Sequence, residues 1–288
     1  MMHKHDIIWF KSIDSTNDEA KRSINDIDNL SVVSALSQSA GRGQRGNSWS
    51  SAEGENLTFS VVLKFGQEGF PALPADKSFV LIELASLSVI KLLDSHGIQA
   101  RIKWPNDIYV GKNKICGMLV ENVFCKSGLK SSIIGIGLNI NQRNFDVNLP
   151  NPTSMLLEVA KQRCCNSLLS IICEGSEKFD IYLLLDEFLD NFKSLCRQFL
   201  SVENDHSELR NLYISKLWRL DEASVFIDYT DLPEGYCTAP VVAGIKNDSG
   251  NEFAGIIRGL SPIGNLLVEN SVTGLIREFA FKEISYIL

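Results

Sequence analysis

Lys103-Trp104-Pro105-Asn106-Asp107-Ile108-Tyr109-Val110-Gly111-Lys112-Asn113-Lys114-Ile115-Cys116-Gly117 is the stretch on which the fold turns. Two short apolar runs flank a Gly111-Lys112-Asn113 turn, which reads as a β-hairpin with strands at 107–111 and 114–124. A strand at 100–104 precedes it, and a second hairpin turn, Cys125-Lys126-Ser127-Gly128, leads into a strand at 131–141. This is a run of antiparallel pairing. The βαβ alternation of a dinucleotide-binding fold is absent from it. The stretch also gathers charge: Lys103, Asn106, Asp107 and Lys114 fall at strand ends, where two lysines can neutralise phosphate and a carboxylate can hold a divalent ion. A solvated turn and an edge lysine that blunts strand pairing are the plainer readings of the same residues.

On the N-terminal side, residues 6–13 read as a strand. Thr16 stands three residues before Glu19, a capping-box spacing, so a helix is expected from there to about Ile27. Ser31–Gln38 reads as a strand and Ala40–Glu55 as a Gly/Ser/Arg/Asn loop. Leu57, Phe59, Val61, Leu63 and Phe65 alternate, which predicts a half-buried strand. Residues 77–95 are apolar and free of Gly and Pro, a buried helix. On the C-terminal side, 153–160 and about 167–220 read as helical, with a polar loop at 203–207. Residues 222–288 break into short apolar runs between Gly, Asn, Asp and Pro, the pattern of a small β-barrel. Two domains are expected, 1–220 and 221–288.

The 288 residues are 44% apolar and 22% charged, enough for a sizeable core. A net charge of −7 argues against bulk nucleic-acid binding as the main task, though not against a local basic pocket. Seven cysteines without a CxxC pair fit core thiols in a reducing, cytoplasmic compartment. Four histidines, two of them terminal, make a histidine metal site a poor expectation. The apolar stretches are too interrupted to span a bilayer.

Three further segments carry chemistry. In Gly41-Arg42-Gly43-Gln44-Arg45-Gly46-Asn47-Ser48-Trp49, glycines let backbone N–H groups converge on an anion, two arginines add charge, and Trp49 can cover a ring. In Gly135-Ile136-Gly137-Leu138-Asn139-Ile140-Asn141, alternating glycines strip one sheet face, open either to a ligand or to a packed element, and two amides share a face. Ser15-Thr16-Asn17, with Gln38, offers donors and acceptors to a urea or amide head group, or simply a helix cap.

In this order the segments resemble the biotin–protein ligase family over residues 15–141. The resemblance implies an α/β (α+β) fold: a mixed, largely antiparallel sheet flanked by helices, like class II aminoacyl-tRNA synthetases, followed by a small Src-homology-3-like barrel. It implies an ATP- and Mg2+-dependent enzyme that makes biotinyl-5′-AMP and passes the biotin to a lysine of a biotin carboxyl carrier domain of a carboxylase. Arg42, Lys103 and Lys114 would be catalytic. Ser15, Thr16, Asn17, Gln38, Arg42, Gly43, Gln44, Lys114 and Gly117 would bind biotin. Arg45, Trp49, Lys103, Asn106, Asp107 and Asn139 would bind ATP, with Asp107 also the magnesium ligand. Many relatives carry Arg where this chain has Gln44, so Gln44 is expected to act through its backbone. Ser15 lies 14 residues from the start, which leaves no room before it for the helix-turn-helix of some relatives. A ligase without repressor role, DNA contact or membrane contact is therefore expected, and a homodimer is compatible with the resemblance. The alternatives are a lipoate or octanoate ligase or transferase, and a non-catalytic biotin-binding module.

Overall fold

A computed structural model describes residues 5–66, 69–166, 177–200, 205–230 and 251–287, without the side chains of Arg45 and 164–166. Strand β1 (Ile7–Phe10) leads into helix α1 (Thr16–Arg22), then β2 (Val32–Ala35) and β3 (Leu57–Lys64). The α1 cap is Ser15, whose hydroxyl accepts from the Asp18 N–H at 3.4 Å, so the capping residue is one earlier than the Thr16 spacing suggests. The helix also stops before 27: the Ser23 hydroxyl donates to the Glu19 carbonyl at 2.7 Å and turns the chain at its C-cap.

Strands β4 (Arg101–Lys103), β5 (Asp107–Val110), β6 (Asn113–Cys125) and β7 (Gly128–Leu138) complete a seven-stranded sheet in the order β1-β2-β3-β7-β6-β5-β4. Both predicted hairpins are present, and only the β1–β2 pair is parallel. β3 departs from expectation: it is buried on both faces, because Ser60 lies under the start of α1 and the Thr58 hydroxyl donates to the Ala35 carbonyl at 2.7 Å, while Leu57, Phe59, Val61 and Leu63 join the core.

That core is closed by α2 (Val80–Ser95), which runs buried along the sheet, and α4 (Ile181–Phe199). α4 places Leu184, Leu185, Phe188, Leu189 and Phe192 on its inner face at helical spacing and is capped by Asp180, whose carboxylate accepts from the N–H groups of Tyr182 and Leu183. α3 (Met155–Asn166) and α5 (Ser207–Ser215) flank them. α4 and α5 lie on either side of the polar loop expected at 203–207. Residues 167–176 and positions 203 and 204 of that loop lie outside the described residues.

Beyond α5, β8 (Ala223–Asp228), β9 (Asn251–Leu260), β10 (Leu266–Asn270), β11 (Ile276–Phe279) and β12 (Ile284–Tyr286) form a five-stranded antiparallel sheet in the order β11-β10-β9-β8-β12. The described residues of the expected small barrel form this sheet, whose two edges do not meet among them; 231–250 lie outside the description. The two sheets are fastened together. Arg210 of α5 donates to the buried carboxylate of Glu83 and to the Ser261 carbonyl, while the Trp104 indole donates to the Gly264 carbonyl at 2.9 Å. Burial pushes Glu83 up to about 7 against the pull of Arg210. No helix of the described residues is long and apolar enough to cross a membrane.

Candidate functional site

The N-terminus of α1, the 41–49 loop, the β4–β6 strand ends and the last strand of the second sheet enclose a cavity of about 360 Å³. Its floor is the glycine face of β6 and β7. A Cβ on Gly135 would stand 2.2 Å from Asn17 Oδ1, and one on Gly137 would stand 2.2 Å from the Trp49 ring. Glycine is required at both positions for these close approaches. Of the two openings left by the sequence, packed element or ligand, the glycines admit Asn17 and Trp49.

At one end of the cavity a hydrogen-bonded network joins α1 to the sheet. The Ser60 hydroxyl reaches Thr16 Oγ1 at 2.8 Å and Asn17 Oδ1 at 2.6 Å. Gln38 Oε1 accepts from the Thr16 N–H at 2.8 Å. The Asn17 amide donates to Glu121 at 2.9 Å, and Glu121 also pairs with Lys21 at 3.1 Å and Arg42 at 2.5 Å. Asp18 lies 3.3 Å from the same Arg42 guanidinium. Burial would raise Glu121, but hydrogen bonds from Asn17, Arg42 and Lys21 hold it below its ordinary value; the bond to Glu121 in turn raises Arg42. Arg42 is thus held by two carboxylates rather than lying free for a ligand. The loop that carries it folds on itself: the Trp49 N–H donates to the Gly41 carbonyl at 2.8 Å, and the Gly43 N–H to Asn47 at 2.7 Å.

At the other end, Lys114 pairs with Asp107 at 2.8 Å across the β5–β6 hairpin and lies 5.8 Å from the Trp49 ring centroid. Asn106 also lines the cavity, its amide stapled to the Met118 carbonyl at 2.5 Å. Lys103 sits deeper among aromatic rings, 3.3 Å from the Tyr109 hydroxyl. Burial lowers it to about 8, with Lys114 and Arg219 adding to the fall and Asp107 opposing it.

All the residues expected in the site line this cavity except two. Asn139 is corrected: its amide donates to the Thr153 carbonyl at 2.9 Å and holds the segment before α3, so it does not face the cavity. Asn141 does the same for Phe179. The side chain of Arg45 lies outside the description. A magnesium ion carried by a triphosphate needs one or two protein carboxylates, and the one carboxylate lining the cavity among the described residues, Asp107, is paired with Lys114 at 2.8 Å. No step below is routed through a metal. Sequence reasoning missed Glu121, whose signal was a lone carboxylate in the apolar run of β6. It also missed Trp218, Phe281 and Tyr286, which come from chain distant from every motif.

Comparison with known proteins agrees with this geometry. Residues 9–139 match the model of the biotin/lipoate A/B protein ligase family. The bifunctional ligase/repressor BirA of Bacillus subtilis is 38% identical over 116 residues, 40% of this chain and 34% of that protein. That of Salmonella typhimurium is 28% identical over 273 residues, 95% of this chain and 72% of that protein. The chain thus spans about a third of the first of these relatives, 34% of its length. Among solved structures, the biotin protein ligase of Aquifex aeolicus in complex with biotin and ATP superposes with a TM-score of 0.68 at 26% identity, covering 98% of each chain. Motif order, sheet order and these matches agree: over residues 9–139 the chain is similar to the biotin/lipoate A/B protein ligase family, and its fold is similar to that of a biotin protein ligase.

Proposed function

We propose that the protein is an ATP-dependent biotin–protein ligase that forms biotinyl-5′-AMP and transfers the biotin to a lysine of a biotin carboxyl carrier domain. The observation that carries this reading is the convergence on one cavity of Arg42, Lys103 and Lys114, three cations from three separate segments, above a floor of glycines. A carboxylate attacking a triphosphate must overcome mutual repulsion, and fixed cations at both ends of the reacting line supply that stabilisation without a covalent nucleophile. In this reading Asn17 and Thr16 read the ureido ring and Lys114 holds the biotin carboxylate. Arg42 joins it once released from Glu121, and Lys103 faces the triphosphate. Asp107 orients Lys114 through their ion pair. The acceptor amine then attacks the acyl carbon of the adenylate, AMP leaves, and the amine loses its proton.

The family name covers lipoate as well as biotin, so the substrate needs its own test. Calorimetric titration should show biotin binding and lipoate binding at least a hundredfold weaker. With ATP and magnesium in the buffer, mass spectrometry of a carboxyl carrier domain should show one biotinylated lysine. Preferential lipoate binding would move the chain to the other branch of its family. Biotin binding without any modified carrier would make it a binding module. Some relatives are named as repressors as well as ligases, and the comparisons leave that role open here.

A further inference from the structure

Lys103 is enclosed by rings from two different sheets. Its ammonium lies 4.8 Å from the ring centroid of Tyr109 on β5, 5.8 Å from that of Trp218 in the strap between α5 and β8, and 5.2 Å from that of Tyr286 on β12. The rings support one another: Trp218 stands 5.5 Å from Tyr109 and 5.7 Å from Tyr286, centroid to centroid. The strap is fixed to the first sheet, since the Trp218 N–H donates to the Ile102 carbonyl at 2.8 Å and its indole to the Gly111 carbonyl at 2.8 Å. Arg219 closes the arrangement from behind. Its guanidinium lies 4.0 Å from the Trp218 ring centroid and donates to the Ile287 carbonyl at 3.1 Å, next to Tyr286. The Tyr286 hydroxyl is buried with no hydrogen-bond partner, so the ring is what this residue contributes.

An ammonium over several ring faces is held by their quadrupoles at little geometric cost, the more strongly where the contact is desolvated. Such a cage is built to receive a cation, and here the chain fills it with its own lysine while Lys103 and the Tyr109 and Tyr286 rings still line the cavity. We propose that Trp218 and Tyr286 are positioning residues for the nucleotide end of the cavity: with Tyr109 they fix the Lys103 ammonium where it faces a bound triphosphate, so that docking of the C-terminal sheet sets the place of this charge. This rests on the ligase reading for the identity of the ligand, but the cage itself is independent of it. The charged groups around the lysine are Asp107 from β5, Lys114 from β6 and Arg219 from the strap.

The test uses the full chain with two readouts. Lysine labelled with carbon-13 reports ring currents directly: the Lys103 ε-protons, assigned with Lys103→Arg, should resonate clearly upfield of the other lysines. Tyr286→Leu should return them toward ordinary positions, and Tyr286→Phe should keep them shifted. Calorimetry should then show ATP binding weakened about fivefold in Tyr286→Leu, the loss of about 1 kcal/mol of ring contact. Biotin affinity should stay within twofold, and Tyr286→Phe should restore the ATP affinity. Trp218 packs in the core and its loss threatens the fold, so Tyr286 carries the decision. Unshifted ε-protons in the wild type would overturn the cage. A lost ring shift with unchanged ATP affinity would overturn its positioning role. Wild-type protein that shows the shift but binds no ATP would overturn the positioning role together with the ligase reading, and this wild-type measurement precedes any variant.

Discussion

The two ends of the cavity are built on different principles. The α1 end is a network of directional bonds, Ser60 to Thr16 and Asn17, and Asn17, Lys21 and Arg42 to Glu121, all within the first sheet and the elements that cover it. The Lys103 end is an aromatic enclosure whose walls come from both sheets. A hydrogen-bonded network fixes angles and distances, as recognition of a small polar head group demands. A cage of rings fixes a charge but leaves its orientation soft, which suits a flexible triphosphate. The first end is closed by contacts within the first sheet and its cover, Asn17 to Glu121 among them; the second also needs Tyr286 of the second sheet, whose 261–264 turn is held by Arg210, Trp104 and Phe79.

Substitutions that strike one end and spare the other sharpen this contrast. Lys114 is the cation assigned to the biotin carboxylate, so Lys114→Ala should lower biotin-dependent pyrophosphate exchange by roughly a hundred- to a thousandfold, about 3–4 kcal/mol of transition-state stabilisation, with circular dichroism unchanged. Unchanged exchange would remove Lys114 from its assigned role. Glu121→Gln takes the charge from the polar network. Charge-assisted hydrogen bonds contribute about 1.5–3 kcal/mol, so biotin affinity should fall roughly tenfold by calorimetry while ATP affinity holds. Equal losses for both ligands would mean that the two ends are not separable.

Gly137→Ala is a steric test of the shared floor. The new methyl has no room beside Trp49, so the indole must shift, at a cost of about 1–3 kcal/mol. The melting temperature should fall by several degrees and the Trp49 emission should change; an unaltered melt would show that the ring does not rest on this glycine. The smallest effect concerns the cage. Lys103 releases its proton near 8 when folded and near 10.5 when unfolded, so between those values the unfolded chain binds more protons and this group makes stability rise with pH. Denaturation of wild type and Lys103→Met at pH 7.5 and 10 should show the variant's stability advantage at the lower pH shrinking at the higher. An advantage independent of pH would mean that the lysine is not desolvated.

The hairpins and the Ser15-Thr16-Asn17 triplet were legible because their information is local, whereas Glu121, which gathers Asn17, Lys21 and Arg42 from distant chain, was not. Turn residues at 111–113, glycines at alternate positions of β7 and a triplet at a helix start each act on their immediate neighbours. The Lys103 cage was not legible, because Tyr286 lies over 180 positions from the lysine it encloses and nothing in its own surroundings marks it. Alternation in β3 misled for a related reason. Thr58 and Ser60 have the period of a solvent face, but their hydroxyls find acceptors inside the fold, the Ala35 carbonyl for Thr58 and the polar start of α1 for Ser60. Asn139 shows the opposite error: its position after Gly137 suggested a ligand contact, while the backbone of Thr153 claims the amide.

The most direct test of the ligase reading is exchange of labelled pyrophosphate into ATP by the purified protein in magnesium buffer, with and without biotin. Adenylation at a site with Lys114 and Lys103 around Asp107 predicts exchange that requires biotin and is not supported by lipoate. A folded protein that binds ATP but exchanges no pyrophosphate with biotin present would contradict it.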